Sequence, residues 1–442
     1  MLYPNYRKLC KFLALSLPLA SSLQAALLCG PMLGPLEMRE AKVWIQAENP
    51  SVVRVAYIDQ ASSKQHYSTP VETNPALGNT ATVTLDGVEP GKTYDYQVEL
   101  NGTLLPERYS FQTPVFFKDR TPPPTLRVAV GGAHYVVEDA FEPPYTILGG
   151  GYGIFSTILQ NEPDMMIWAG NTAHIRESDW ASQSGYIKRY SKARSVPELK
   201  NLIAQVPQYA VWSSSDYGIG NAGRYASTRA QAEASFEAFW PKPVEITSLE
   251  GVATRFRRAD VDFFMIDVRS YRDDIPPPGD LPLILGDKQI EWLRQELIRS
   301  TATFKIIIAG APILNPADSA VNLSYADGEH TKLLQMLRDE RISGLFFISG
   351  GKYYGELTRL VHANSYNLHD LTIGPLTANP TEESDELNFF RMPGTTTTER
   401  HFALLDFTGP EADREITVRV LSMEGKELWN RSVKASQLQP VE

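Results

Sequence analysis

Cysteine is nearly absent: the chain of 442 residues has two, Cys10 and Cys29. So few cysteines exclude a disulfide framework and any cysteine-built metal centre, and the fold has to hold by its core. Long basic runs are missing too. The formal net charge is −10, so nucleic acid is not an expected partner, and the acidity speaks for solubility and little else. Long apolar runs are equally scarce. Phe12–Leu19 is apolar, but a bilayer-spanning helix needs about 20 such residues, so no transmembrane span is expected in the mature chain.

That short apolar run has another reading. Arg7, Lys8 and Lys11 precede or flank it, and Ser21-Ser22-Leu23-Gln24-Ala25-Ala26 follows with small residues. This is the layout of a cleavable signal, so residues 1–25 read as a signal peptide and the protein as exported, periplasmic or extracellular. The segment carries three basic and no acidic side chains, so its loss takes the net charge from −10 to −13. Cys10 leaves with it. Lipid attachment at Cys29 is disfavoured, because Leu28 before it is bulkier than such a signal requires.

What is present is a globular composition, 43% hydrophobic and 21% charged, which rules against disorder as the default. The length suggests two domains. Residues 27–115 read as an immunoglobulin- or fibronectin-like β-sandwich: Lys42–Ala47, Val52–Ile58, Thr80–Leu85, Thr93–Leu100 and Arg108–Thr113 alternate apolar and polar residues between turn signals. Tyr94, after the Pro90-Gly91 turn, has the placement of a tyrosine corner. Residues 116–124, with Pro122, Pro123 and Pro124, form a linker.

From Thr125 to about residue 435, strands and helices alternate, the mark of an α/β layer fold. The expected helices are Gly153–Asn161, most of Ser178–Ala204, Arg229–Trp240, Asp287–Ser300 and Lys332–Arg341. Three strands end in loops of small polar residues. Asp164–Trp168 runs into Ala169-Gly170-Asn171-Thr172-Ala173-His174. Tyr209–Trp212 runs into Ser213-Ser214-Ser215-Asp216. Leu345–Ile348 runs into Ser349-Gly350-Gly351-Lys352-Tyr353-Tyr354. Chemistry in α/β folds gathers at the carboxyl ends of strands, so these loops are expected to meet in one crevice.

Framework segments give the order a family likeness: Asp262–Arg272 (DFFMIDVRSYR), Leu285–Leu293 (LGDKQIEWL) and Asp370–Thr377 (DLTIGPLT). In these the chain resembles the PhoD-like alkaline phosphatase/phosphodiesterase family of calcineurin-like metallophosphoesterases. The resemblance implies a two-sheet metallophosphatase sandwich flanked by helices, two metal ions as cofactor, and phosphoric-ester hydrolysis. The metal motifs that the resemblance implies are altered here. Gly131-Gly132-Ala133 stands where the family has Gly-Ser-Cys. Asn171 stands for a metal-bridging Asp, and His174 for a Tyr. Ser213, Ser214 and Ser215 replace two carboxylates and an imidazole, while Gly351 and Tyr353 replace another carboxylate and imidazole.

Two dications a few ångströms apart need bridging carboxylates to offset their repulsion, and serine, glycine and Asn171 bring no charge. The expectation is a pseudophosphatase with no bound metal. An anionic small-molecule ligand would be held near His174, Arg176, Asp216, Arg269 and Lys352. Two alternatives stay open: a metal-dependent phosphatase or phosphodiesterase with a rearranged site, and a metal-free serine hydrolase built on Ser213–Ser215. The second lacks a Gly-x-Ser-x-Gly elbow and an assignable base. Plainer readings compete for single residues: Asp216 as a turn cap, His134 and His174 as loop histidines, and Arg269 and Arg272 paired with Asp273 and Asp274.

Overall fold

The computed structural model describes residues 26–138, 142, 148–276, 281–362, 365–381 and 386–441. The signal-peptide reading of residues 1–25 lies outside the described residues.

Nine strands build the β-rich first part. Leu27–Leu36, Ala41–Ala47 and Thr80–Leu85 form one sheet, and Val52–Asp59 and Thr93–Leu100 centre the other. Val43, Ile45, Val83 and Leu85 from one sheet meet Val55, Tyr57, Tyr96 and Val98 from the other in one buried cluster, as period-2 alternation demands. The Tyr94 hydroxyl accepts the Glu89 N–H at 3.0 Å, five residues upstream.

The second part stacks two six-stranded sheets. In the first, Gln208–Val211, Met165–Ala169 and Leu126–Gly131 run parallel, and the antiparallel strands His401–Thr408, Glu415–Ser422 and Glu427–Lys434 follow. In the second, Val261–Ile266, Phe304–Ala309, Leu345–Ser349 and Leu368–Thr372 run parallel. Thr254–Arg258 and Glu356–Leu360 close its two edges antiparallel. The parallel strands are buried on both faces, which is why they read as unbroken apolar runs. Val128, Val130 and Ile167 of one sheet share a core with Phe263, Ile306, Ile308 and Phe347 of the other. Helices cover the outside. Phe155, Tyr190, Leu202 and Phe236 pack on the Met166 and Trp168 face of the first sheet, and Leu293, Leu297, Leu333 and Leu337 on the second.

The mostly helical stretch Ser178–Ala204 holds two helices, Gln183–Arg194 and Pro197–Gln205. Pro197 occupies the first turn of the second, the position where its missing N–H does no harm. The Lys332–Arg341 helix starts earlier, as Asp327–Asp339, with Asp327 and Glu329 in its first turn, where acidic side chains suit the helix dipole.

The two parts are pinned together. Trp44 Nε1 donates to the Ala238 carbonyl at 2.6 Å, the Tyr96 hydroxyl to that of Ala204 at 2.6 Å, and Lys42 Nζ to that of Lys242 at 2.9 Å. Trp44, Met32 and Cys29 of the first part lie in the helical core of the second.

Candidate functional site

Seven parallel strands end on one rim, and the structure brings the three predicted loops together there. Their contacts draw them close: Ile175 N donates to the Ser215 carbonyl at 2.9 Å, Ser215 N to Asn171 Oδ1 at 3.0 Å, and His174 Nε2 meets the Tyr353 hydroxyl at 3.0 Å. Glycine permits the approach. A Cβ on Gly351 would lie 2.6 Å from the Gly310 oxygen, and the residue holds φ +79°, a left-handed conformation that favours glycine.

Within this rim the polar side chains bond to one another. Asn171, 1% exposed, accepts the Ser215 N–H on Oδ1 at 3.0 Å. Ser213 donates its hydroxyl to the Gly310 carbonyl at 2.6 Å. Ser213 also caps the short Ser214–Tyr217 helix through a capping box with Asp216. Asp216 is fully buried. Its Oδ1 accepts Thr172 N (2.7 Å), Thr172 Oγ1 (2.7 Å) and Ala173 N (2.9 Å), and its Oδ2 accepts Ser213 N (2.9 Å). Burial pushes its carboxyl up to about 6 against the pull of those donors. Asp216 therefore fastens the Asn171 loop to the serine loop.

The histidines are also engaged. His134 is fully buried between Thr377 Oγ1 (2.8 Å) and the Ala193 carbonyl (2.9 Å). His174 sets Nδ1 against the His134 carbonyl and Nε2 against the Tyr353 hydroxyl, each at 3.0 Å. A carbonyl at Nδ1 fixes the proton there, so Nε2 accepts from Tyr353 and its lone pair is occupied. Burial holds the two rings down at about 3 and about 4, so both are neutral at pH 7. Neither faces a serine hydroxyl as a base.

The cations are less available than the sequence suggests. Arg176 pairs with Glu142, donates to the Tyr135 hydroxyl and lies over the Tyr135 ring. Lys352, 6% exposed, pairs with Glu386 at 2.5 Å. The pocket expected around Arg176, Arg269 and Lys352 is corrected accordingly: two of its three charges are already neutralised. Glu142 and Glu386 carry no local sequence signal that points to these partners. The pairing of Arg269 and Arg272 with Asp273 and Asp274 does not form either. Asp273 pairs with Arg224 at 2.6 Å, and Asp274 accepts the N–H groups of Gly223 and Tyr225.

The framework segments have a physical role in this arrangement. Asp267 accepts Trp212 Nε1, Arg269 N and Ser270 N on Oδ1, and Val252 N and Ser270 Oγ on Oδ2. Gln289, from the LGDKQ segment, accepts Asp267 N and donates to Asp267 O. These residues fix the strand ends in place whatever stands in the crevice.

The sequence pattern of PhoD-like phosphatases matches residues 128–409. The chain belongs to the PhoD-like phosphatase family. Residues 24–116 match a domain of unknown function, DUF7800. Among solved structures, a PhoD aligns with a TM-score of 0.71 at 16% identity, covering 93% of this chain and 91% of that one. The purple acid phosphatase PPD1 from yellow lupin (Lupinus luteus) seeds aligns with a TM-score of 0.69 at 12% identity, covering 91% and 74%. At such identities the likeness is one of fold. No curated protein matches the chain.

The two metal ions implied for a PhoD-like phosphatase do not fit the side chains present. Among the described residues no group of three or more His, Cys, Asp or Glu is placed to hold an ion. Asp216 has four donors on its two oxygens, and both histidines have both ring nitrogens engaged.

Proposed function

We propose that this PhoD-family chain is an exported pseudophosphatase, which binds an anionic ligand and does not hydrolyse phosphoric esters. The observation that carries this reading is Asp216. Both oxygens of Asp216 are committed to Thr172, Ala173 and Ser213, and among the described residues no group of three or more His, Cys, Asp or Glu is placed to hold an ion. Dinuclear hydrolysis needs clustered charge to hold the ions and create hydroxide, and the family positions here carry Ala133, Asn171, Ser213, Ser214, Ser215, Gly351 and Tyr353. Ser213 gives its proton to the Gly310 carbonyl, so it is not the base-activated hydroxyl that the serine-hydrolase alternative needs.

The test is elemental analysis of the purified full chain beside turnover of bis(p-nitrophenyl) phosphate with added divalent metals. The expected result is far less than two metal ions per chain and no turnover above buffer. Two tightly bound ions at near-full occupancy, with turnover that a chelator abolishes, would instead establish a metal-dependent phosphatase with a rearranged ligand set.

A further inference from the structure

At the opposite end of the parallel strands from the crevice, polar groups surround open space. Leu126–Gly131, Met165–Ala169, Gln208–Val211 and Val261–Ile266 all begin there. A cavity of about 360 Å³ lies against those strand starts, and the β-rich part, the Pro-rich connection and the second part each contribute to its wall. Phe111, Pro114, Pro124, Pro163 and Pro207 give it apolar faces, and Asp164 and Arg258 give it one charge of each sign. The wall is already fastened. The Pro114 carbonyl accepts Gly91 N at 3.0 Å, that of Pro124 accepts Arg414 Nη2 at 3.0 Å, and that of Pro207 accepts Met166 N at 2.9 Å. Small-molecule sites have this size and this mixture of apolar wall and few polar groups, and they favour places where domains meet.

The two charges line one cavity without forming an ion pair. Arg258, 8% exposed, donates Nη2 to the Tyr209 hydroxyl at 3.4 Å, and its Nε has no partner. Asp164 is exposed on its other side and accepts Arg127 N on Oδ2 at 2.7 Å. Burial raises the carboxyls of Asp164 and of Glu37, the residue after Leu36 in the wall, and the charge of Arg258 pulls both back. Other charges close by cancel in pairs, Arg127 with Asp406 at 2.6 Å and Arg414 with Asp260 at 2.7 Å. A bare anion on Arg258 would therefore meet the repulsion of two carboxylates. A molecule with both charges meets none: an ammonium suits Asp164, and a carboxylate suits the guanidinium fork.

We infer that this cavity is a receptor for one free α-amino acid with a large apolar side chain. Its ammonium lies on Asp164, its carboxylate on Arg258, and its side chain between Phe111 and the four prolines of the wall. The site is separate from the crevice and does not depend on whether the chain hydrolyses phosphoric esters.

The experiment is equilibrium dialysis of the full chain against labelled L-phenylalanine, followed by competition. One saturable site per chain is expected. Phenethylamine, which lacks the carboxylate, and 3-phenylpropanoate, which lacks the ammonium, should each compete about tenfold less well than unlabelled L-phenylalanine, or worse. Asp164→Asn keeps an acceptor for Arg127 N and removes the charge, so it should fold and bind about tenfold more weakly. Arg258→Lys keeps the charge, loses the fork, and should bind several-fold more weakly. Should it fail to fold, Asp164→Asn decides alone, because that side chain stands at the exposed side of the cavity. No saturable binding, competition by either single-charge analogue as strong as that of L-phenylalanine, or unchanged affinity in Asp164→Asn would overturn the inference.

Discussion

Asn171 Oδ1 and the backbone N–H of Ser215 are hydrogen-bonded at 3.0 Å, across a gap that the family resemblance assigns to a metal ligand on either side. A carboxylate at 171 keeps that acceptor, whereas an Asp at 213 sets its oxygens against the Gly310 carbonyl, which now accepts from Ser213 at 2.6 Å. Asn171→Asp should therefore cost about 1–2 kcal/mol in the presence of chelator, and Ser213→Asp about 3 kcal/mol or more. Both losses should shrink at pH 5, where a buried carboxyl regains its proton. Urea unfolding at pH 5 and pH 8 measures them, and equal losses for the two variants would contradict the geometry.

Gly351 limits any attempt to rebuild a metal site. A side chain there meets the Gly310 oxygen at 2.6 Å from its Cβ, with φ at +79°. Gly351→Ala, which adds no charge, should already destabilise by about 2 kcal/mol. A reconstruction carrying Asn171→Asp, Ser213→Asp, Ser214→Asp, Ser215→His, Gly351→Asp and Tyr353→His should melt well below the parent in chelator. Most of the strain from Gly351→Asp should persist at acid pH, because it is steric. The measurement is a set of melting curves for the single alanine variant and the reconstruction across pH 5–8.

Stability should fall on acidification. Burial holds His134 down at about 3, and His174, His369 and His401 at about 4, against an ordinary 6.5. Their contribution is present above 6.5 and lost as pH falls, because the unfolded chain takes up protons that the folded chain refuses. Asp216 and Asp370, pushed up by burial to about 6 from 3.8, act in the opposite sense: the folded chain keeps protons that the unfolded chain releases. From these six groups, near pH 5, the unfolded chain holds roughly two more protons, which gives about 3 kcal/mol lost per unit of acidification. Asp216→Asn removes one opposing group and should steepen that slope by about 1.4 kcal/mol per unit. Denaturant midpoints between pH 4.5 and 7 provide the readout, and a flat profile would contradict the assignments.

Trp44 joins the β-rich part to the helical layer. It is fully buried, bonded to Ala238, and packed on Phe239 with ring centroids 5.3 Å apart. Trp44→Ala should cost about 3–5 kcal/mol. Both parts should unfold in one transition in the parent, as followed by circular dichroism and tryptophan fluorescence. Two separated transitions in the parent would mean that these contacts are energetically minor.

The parallel strands were legible because burial on both faces leaves a plain apolar signature, as in Phe304–Ala309 and Leu345–Ser349, whereas their order within each sheet was not. The strand Leu27–Leu36 was not legible. It is an edge strand interrupted by Gly30, Pro31, Gly34 and Pro35, and its pairing with Ala41–Ala47 shifts register three times, so it shows no clean alternation. The family resemblance assigns residues 171, 213–215, 351 and 353 to metal-ligand positions, and their uncharged identities are plain in the sequence. The partners of the side chains around them could not be read from it. Three of the four donors to Asp216 come from Thr172 and Ala173, 43 or 44 residues away, Arg176 is neutralised from Glu142, and Asp273 is taken by Arg224. Such pairings are set by the packing of distant strand ends, and no local pattern encodes them.

The Pro-rich connection between the two parts, residues 118–124, is not what holds them together. Trp44, Tyr96 and Lys42 reach across to Ala238, Ala204 and Lys242, and Leu36 N donates to the Tyr209 hydroxyl at 3.2 Å. A protease that cuts within that connection would leave two polypeptides on a denaturing gel and a single particle on a sizing column. The chain is covalently divisible at a place where the particle is not.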